Sequence, residues 1–288
     1  MLLPALILII VLAYVPMFGA VIAFEDYNYG KGIFGSDWVG LKNFDFFFKS
    51  GQAWLLTKNT FCYNISFILT SMVVEMAMAI FIFEMSTKRY KRALQSIMIL
   101  PYFLSWVVIG SMVYNLFSYE YGAINGFLTT IGLDRVNVYQ STGAWRYIFV
   151  LLTLWHDTGY GMIFYLAAVN GINPELYEAA HLDGAGIIKR IWHITLPLMK
   201  PTAVILLLLK LGGILKGNFQ MFYNIIGNNG HLFDATDVID TFVFRSLLTM
   251  KDYGMTAAVG LFQQLIGFVL VMLANGVARR VDKDMALF

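Results

Sequence analysis

The chain has 288 residues, of which 59% are hydrophobic and 13% are charged, and its formal net charge is +2. This composition is too apolar for an ordinary soluble domain and too weakly basic for a nucleic-acid-binding surface. A single cysteine, Cys62, excludes an internal disulfide and a cysteine-based metal site. Lipid is therefore the expected surrounding for most of the chain.

Six stretches are apolar and long enough, at about 20 residues or more, to cross a bilayer as helices. They cover residues 2–24, 59–83, 93–118, 147–173, 201–226 and 253–278. The first is longer than the apolar part of a signal peptide, so we expect it to be a retained helix. The sequence thus predicts an all-α integral membrane protein with six transmembrane helices in one domain over residues 1–288.

The connections between these stretches differ in their content of Lys and Arg. The basic residues are dense in 84–92, in 174–200 and after residue 278, and sparser in the longer connections 25–58, 119–146 and 227–252. The positive-inside rule places the first set, and with it both termini, in the cytoplasm. In the last outer connection, apolar residues at helical spacing over 234–248 predict a short surface helix.

One cytoplasmic connection opens with "PELYEAAHLDGAG", residues 174–186. Asn173 and Pro174 are typical of a helix start, and Gly184 permits the left-handed turn that ends a helix. Such a helix is roughly 15 Å long at 1.5 Å per residue, so it lies beside the membrane instead of crossing it.

The charged residues of this helix distinguish two interpretations of its role. A helix that rests on lipid headgroups displays Lys and Arg, whereas this one displays Glu175, Glu178 and Asp183. Ala179 and Ala180 leave a narrow surface that another protein can approach closely. We therefore interpret the segment as a docking helix for a soluble cytoplasmic partner, with a connector on lipid as the alternative.

The segment "YEAAHLDGAGIIKRIWHITLPL" resembles the EAA motif of binding-protein-dependent ABC importer permeases. Glu178, Ala179 and Ala180, then Gly184 and Pro197, stand at the spacing of the motif, and His181 departs from it where many relatives carry a small residue. The segments "WVGLKNF", "LPYFLSWVVIG" and "TAAVGLFQQLIGFVLVMLAN" resemble the carbohydrate-transporting branch, particularly permeases for oligosaccharides and polysaccharide fragments.

The resemblance implies a type I ABC importer permease fold in a bacterial cell membrane. It implies a second homologous permease, two cytoplasmic ATPase subunits, an external solute-binding protein and an oligosaccharide substrate as partners. ATP and Mg²⁺ would be bound by the ATPase and no cofactor by this chain, which itself would not be an enzyme. The coupling contact with the ATPase would be made by Glu178, Ala179, Ala180, Asp183 and Gly184.

Polar residues inside spanning stretches are costly in lipid and usually face a pathway or a partner helix. Aromatic faces, amides and carboxylates suit sugar rings and hydroxyls, and Asn218 also resembles a ligand-facing residue of the family. The candidate pathway residues are Trp155, Asp157, Tyr160, Lys210 and Asn218. In the alternative, Lys210 only pairs with Glu75 or Asp157, and Lys216 only extends to the outer interface.

Other functions require residue patterns that can be looked for in the sequence. The chain has neither a Gly-rich phosphate loop, which would bind a nucleotide, nor an HExxH pattern, which would bind a metal. These motifs therefore assign nucleotide hydrolysis to a partner. A secondary transporter would need an ion relay, for which His156 and Asp157 are the sole adjacent candidates, with no second half that repeats them. The same two residues make a poor enzyme dyad, because neighbours on a helix point about 100° apart. A permease of this fold for a solute other than sugar stays open, since fold does not decide cargo.

Overall fold

The computed structural model describes residues 3–49 and 51–281, and these are mostly helical. The helices and strands are, in chain order, α1 (Leu3–Ile9), β1 (Glu25–Asp26), β2 (Asp37–Trp38), α2 (Lys42–Lys49), α3 (Gln52–Glu84), α4 (Lys88–Ile99), α5 (Trp106–Phe117), α6 (Ala123–Thr130), α7 (Thr142–Asn170), α8 (Pro174–Leu182), α9 (Ile187–Arg190), α10 (Leu196–Leu211), α11 (Phe219–Ile226), α12 (Phe233–Thr236), α13 (Ile239–Met250) and α14 (Tyr253–Val281). Tighter or wider helical turns extend α1 to Phe24 and α4 to Phe103, and a π turn joins α9 to α10.

Four helices of the described chain are long and apolar enough to cross a membrane: Leu3–Phe24, Gln52–Glu84, Ile187–Leu211 and Tyr253–Arg280. A fifth span results if the bent pair Lys88–Phe103 and Trp106–Phe117 is counted as one. Helix α7 is 29 residues long but falls outside this set, because its centre, "WHDTGYG", is polar. The prediction of a membrane protein is confirmed in coarser terms: the described chain is mostly helical, with four or five candidate spans and one short two-stranded sheet.

The prediction of one continuous helix over 93–118 is wrong, because the chain bends there by 94°. Pro101 ends the regular hydrogen bonding of α4, and Leu104 is extended. Ser105 then starts α5 by accepting a hydrogen bond from the Val108 backbone N–H at 3.4 Å. The freed Leu104 carbonyl lies 3.3 Å from His156 Nε2, so the bend is tied to α7.

The prediction of one helix over 201–226 is also wrong. The helix begins at Ile187 and runs through Pro197 and Pro201 to Leu211, and the chain then turns before α11. One side-chain amide binds two carbonyl groups freed in this turn: Asn64 donates to Ile214 O at 2.9 Å and to Lys216 O at 3.1 Å. The turn is stable inside the protein because this amide replaces helical hydrogen bonds.

Helices α3 and α7 form the centre of the fold. Towards the Gln52 end of α3, the aromatic side chains of Tyr63, Phe149 and Phe222 pack together, with Tyr63 and Phe222 ring centroids 5.0 Å apart. Towards its Glu84 end, Ala79, Met162 and Met199 are fully buried in a second cluster. The two clusters hold the central helices together on either side of a polar middle.

The segment 234–248, predicted as a surface helix, is instead packed into the fold. Ile239 is fully buried and Phe242 is 7% exposed, against Phe47 and Met255. Asn59 of α3 donates to the Asp237 carbonyl at 3.1 Å. The helical spacing correctly predicts the helix from Ile239 onward, but it shows neither the extended residues Asp237 and Val238 nor the long-range hydrogen bonds that bury the segment.

The helical segment Leu3–Phe24 lies on the outside of the molecule, and no residue in its most apolar window is buried. Its end is fixed by the Asn43 side-chain amide, which donates to the carbonyls of Ala23 at 3.1 Å and Glu25 at 2.8 Å. Strand β1 follows directly and pairs antiparallel with β2, with Glu25 opposite Trp38.

Candidate functional site

An open cavity of about 530 Å³ lies between α3, α7, α10 and the turn after α10. Its lining includes four predicted pathway residues, Asp157, Tyr160, Lys210 and Asn218. Trp155 is not part of the lining, although it stands two residues before Asp157, and 44% of it is exposed. The fold therefore gathers polar groups from three distant sequence segments around one space within the apolar helices.

An ion pair forms part of the cavity wall. Lys210 Nζ lies 2.9 Å from each carboxylate oxygen of Glu75. The Glu75 side chain is 3% exposed and that of Lys210 is 32% exposed. Gly161 of α7 makes room for the carboxylate, since a Cβ atom there would lie 2.2 Å from Glu75 Cδ. The sequence leaves Glu75 and Asp157 as possible partners of Lys210, and in the structure the partner is Glu75.

Asp157 stands on the same wall, and its neighbour His156 lies outside the lining and contacts it. His156 Nδ1 lies 2.5 Å from Asp157 Oδ1, and the imidazole is packed against the Trp106 ring at 4.4 Å between centroids. The Asp157 side chain is 38% exposed and faces the cavity. The histidine therefore orients a carboxylate that can accept hydrogen bonds from a ligand.

Aromatic faces complete this wall. The rings of Tyr102 and Tyr160 are stacked with centroids 4.3 Å apart and an interplanar angle of 6°, and Phe164 contacts Tyr160 edge-on at 5.4 Å. The sequence reasoning missed Tyr102. The available signal was Pro101, because a proline within an apolar stretch indicates a bend that can turn the following aromatic side chain inward.

The remaining polar groups lie in the turn after α10. Asn218 Oδ1 accepts a hydrogen bond from the Met221 backbone N–H at 3.1 Å, so this side chain caps α11 while it also lines the cavity. Lys216 is exposed at the same wall. Behind the turn, the Asp240 carboxylate accepts from Gly217 N at 2.5 Å and from Gln263. Burial raises the pKa of Asp240 above its ordinary value, against the effect of these hydrogen bonds.

A second candidate surface is α8, which follows α7 in the chain and contributes no residue to the cavity lining. Its start is capped as predicted, because Asn173 Oδ1 accepts from Glu175 N at 3.1 Å, and Gly184 ends it with a φ of +74°. Glu178, Ala179, Asp183 and Gly184 are exposed, while Ala180 is half-buried.

The opposite side of α8 is attached to the protein itself. The Tyr177 hydroxyl lies 3.0 Å from Thr195 Oγ1, and its ring centroid is 5.5 Å from that of Phe83. Leu182, which the sequence reasoning did not single out, is 88% exposed at the end of the helix. An apolar residue four positions after Glu178 on an otherwise acidic face was the signal for it. Acidic, small and apolar groups thus share one free face.

Comparison with known proteins gives consistent results. Residues 76–286 match the family described as "binding-protein-dependent transport system inner membrane component". The chain is 35% identical over 287 residues to the polygalacturonan/rhamnogalacturonan transport system permease protein YteP of Bacillus subtilis (strain 168), with coverage of 99% of this chain and 88% of that protein. It is 32% identical over 284 residues to protein LplB of the same organism, with coverage of 99% and 89%.

Among solved structures, one chain of a bacterial alginate ABC transporter in complex with alginate pentasaccharide-bound periplasmic protein superimposes with a TM-score of 0.88. The sequence identity is 34%, and the match covers 98% of this chain and 94% of that chain.

Proposed function

Because the chain belongs to the family of binding-protein-dependent transport system inner membrane components, we propose that it is the permease subunit of an ATP-driven ABC importer for an acidic oligosaccharide. The observation that carries this proposal is the cavity of about 530 Å³, which combines charged, amide and aromatic groups within the apolar helices. Because lipid excludes such groups, their exposure around one open space favours a polar ligand that contacts them.

The cargo class is proposed from the relatives and from the charges of the cavity. YteP is named for polygalacturonan and rhamnogalacturonan, and the superimposed transporter was solved with an alginate pentasaccharide. These polymers carry carboxylates. Lys216 is an exposed cation in the cavity wall. Within the described residues, no carboxylate oxygen lies within 4.0 Å of its Nζ atom.

Four groups of the cavity are assigned a contact with the cargo. Tyr160, supported by Tyr102, offers a flat face to the apolar side of a sugar ring. Asp157 and the amide of Asn218 bind hydroxyl groups, and Lys216 binds a carboxylate. Trp155, which lies outside the lining, receives no cargo contact in this assignment.

The proposed topology has six spans, with the bent pair α4–α5 as the third and the polar helix α7 as the fourth. Both termini and α8 then lie in the cytoplasm of a bacterium, and the Gln52 end of α3 faces the outside. The density of Lys and Arg in 84–92 and 174–200 supports this orientation.

In this arrangement α8 couples the permease to an ATPase. The exposed face with Glu178, Ala179, Leu182 and Asp183 enters a cleft of that subunit, and Glu178 meets a basic residue there. The complete importer then holds a second homologous permease, two ATPase subunits that bind ATP and Mg²⁺, and an external solute-binding protein. This chain contributes no catalytic group of its own to hydrolysis.

The proposal is tested with the complex that co-purifies with this chain, reconstituted in lipid. ATP hydrolysis is measured with candidate solute-binding proteins and a panel of neutral and acidic oligosaccharides, for wild type, Glu178→Arg and the exposed outer-face control Glu120→Arg. We expect stimulation by one binding protein loaded with an acidic oligosaccharide, loss of stimulation or of the ATPase subunit in Glu178→Arg, and a normal control.

Two results would overturn parts of this proposal. Uptake that an ionophore abolishes and that needs no ATP would identify an ion-coupled transporter instead. Stimulation by neutral sugars alone would refute the acidic cargo, whereas the assignment as an ABC importer would stand.

A further inference from the structure

A polar pocket of about 410 Å³ lies at the Gln52 end of α3, opposite the end that approaches α8. It is formed by the first residues of the hairpin, the start of α2 and the turn between α13 and α14. Its charged lining residues are Glu25, Asp26, Lys42, Lys251 and Asp252.

Glu25 is the unusual member of this set. It is 5% exposed, and its Oε2 atom is buried with no hydrogen-bond partner in the described part of the chain. Its backbone, by contrast, is well fixed, because Asn43 donates to the Glu25 carbonyl and Glu25 pairs with Trp38 across the hairpin. A buried carboxylate that lacks a partner is costly, so its position calls for a ligand that brings a positive charge or hydrogen-bond donors.

The pocket's own cations do not supply this ligand. Lys42 and Lys251 are exposed, and neither makes an ion pair with Glu25 within the described residues. Asp252 is already engaged, since its Oδ1 accepts from the Met255 backbone N–H at 2.9 Å and caps α14.

The observations favour a side chain over a metal ion as the missing ligand. No group of three His, Cys, Asp or Glu residues in the described chain is close enough together to hold a metal. The lining holds three acids and two lysines, so one guanidinium or ammonium group balances its charge and brings several donors to one carboxylate, whereas a dication would exceed that balance.

We propose that this pocket is a socket for a basic side chain of the external solute-binding protein, with Glu25 as the carboxylate that receives it. The inference rests on the proposed function, which places this end of the molecule outside the membrane. Binding then gives the buried Glu25 carboxylate a cationic partner. Most of the binding energy of this contact therefore comes from Glu25 and not from the exposed residues at the rim of the pocket. Gly254 allows the start of α14 to lie close to Asn43, because a Cβ atom there would lie 2.6 Å from the Asn43 amide nitrogen. This close approach keeps the pocket narrow.

The test uses the reconstituted complex and the binding protein that stimulates its ATPase. The binding protein is titrated against wild type, Glu25→Gln and the control Asp37→Asn, which removes a carboxylate that is 80% exposed from the same hairpin. We expect Glu25→Gln to raise the half-saturating concentration about 30-fold or more, with unchanged basal hydrolysis, and Asp37→Asn to change it less than about fivefold.

A structural role of Glu25 is separated by two measurements. The melting temperature of the Glu25→Gln complex without binding protein is expected to equal or exceed that of wild type, because an unpaired buried charge has been removed. Asp26→Lys, at an exposed position on the pocket lining, is expected to weaken binding by placing a competing cation in the socket while Glu25 stays intact.

The outcomes are distinguishable. If no binding protein stimulates wild type, the proposed function fails. If wild type is stimulated and both Glu25→Gln and Asp26→Lys respond equally well, the socket alone is refuted. A melting temperature lowered by Glu25→Gln together with normal titration, or stimulation that EGTA removes and Ca²⁺ restores while Mg²⁺ is kept constant, would also overturn it.

Discussion

At the scale of single residues, Lys210 stands between a buried carboxylate and an open cavity. Its ammonium group makes two 2.9 Å contacts with Glu75, and about a third of its side chain stays exposed. Glu75 is 2% exposed, so its charge depends on this one partner. The lysine therefore has a structural role even before any cargo is considered.

Lys210→Met is expected to destabilise the complex by about 3–5 kcal/mol, because it leaves the Glu75 carboxylate buried and unpaired. The double variant Glu75→Gln with Lys210→Met removes both charges and should recover most of that loss. Thermal unfolding of the purified complexes measures both effects. Equal stability of the single variant and wild type would show that the ion pair contributes nothing.

Part of the candidate site could be predicted from sequence for a simple physical reason. Charges such as Asp157 and Lys210 are conspicuous in apolar stretches, since lipid excludes them. The sequence could not show that Trp155 lies outside the cavity lining, because the rotation of α7 about its axis is set by packing. Nor could it choose between Glu75 and Asp157 as the partner of Lys210, a choice that depends on the space beside Gly161. The roles of these residues in transport stay predictions.

At the scale of elements, helix α7 is positioned by its glycines. A Cβ atom on Gly159 would lie 1.9 Å from the Met98 carbonyl oxygen at the end of α4. That neighbour is backbone, which cannot rotate away as a flexible side chain can. Close approach of α4 to α7 therefore requires a glycine at this position.

Gly159→Ala is expected to cost about 3 kcal/mol or to prevent folding, because α4 must move away from α7. The control is Gly260→Ala in the interior of α14, where a Cβ atom would meet nothing within 4 Å. That change should be neutral or stabilising by up to about 1 kcal/mol. The yield and the melting temperature of the two purified variants decide the matter, and equal behaviour would contradict the packing argument.

The ends of the elements show where hydropathy stops being informative. The stretches 93–118 and 201–226 are apolar throughout their length, yet each is broken, at Leu104 and after Leu211. An average over 20 residues does not register one proline or a pair of glycines. Both breaks are held by distant partners, His156 for the first and Asn64 for the second, which the sequence does not connect to them.

At the scale of the whole molecule, the resemblance to importer permeases read from the EAA segment is confirmed by the family match and by the superposition on the alginate transporter chain. The mainly helical membrane architecture is confirmed with it. The count of six spans and the cytoplasmic location of both termini stay predictions.

Single cysteines in a Cys62→Ser background test that orientation in intact cells. Asp134→Cys, in the exposed connection before α7, is expected to react with a membrane-impermeant maleimide. Ser86→Cys, in the turn between α3 and α4, is expected to react only after the cells are permeabilised. The reverse pattern, or labelling of both positions in intact cells, would contradict the proposed topology.

The ion pair between Arg190 and Glu84, 3.3 Å long, has a mechanical consequence. It fastens the segment just after α8 to one end of α3, and α3 is an unbroken helix of 33 residues, about 50 Å in length. The hydrogen bonds along such a helix make it stiff against bending, so a displacement applied at Glu84 reaches Glu75 and Asn64 with little loss. With α8 as the proposed coupling helix, we expect force applied to it to reach the cavity through the single continuous helix α3 and not through a chain of loops.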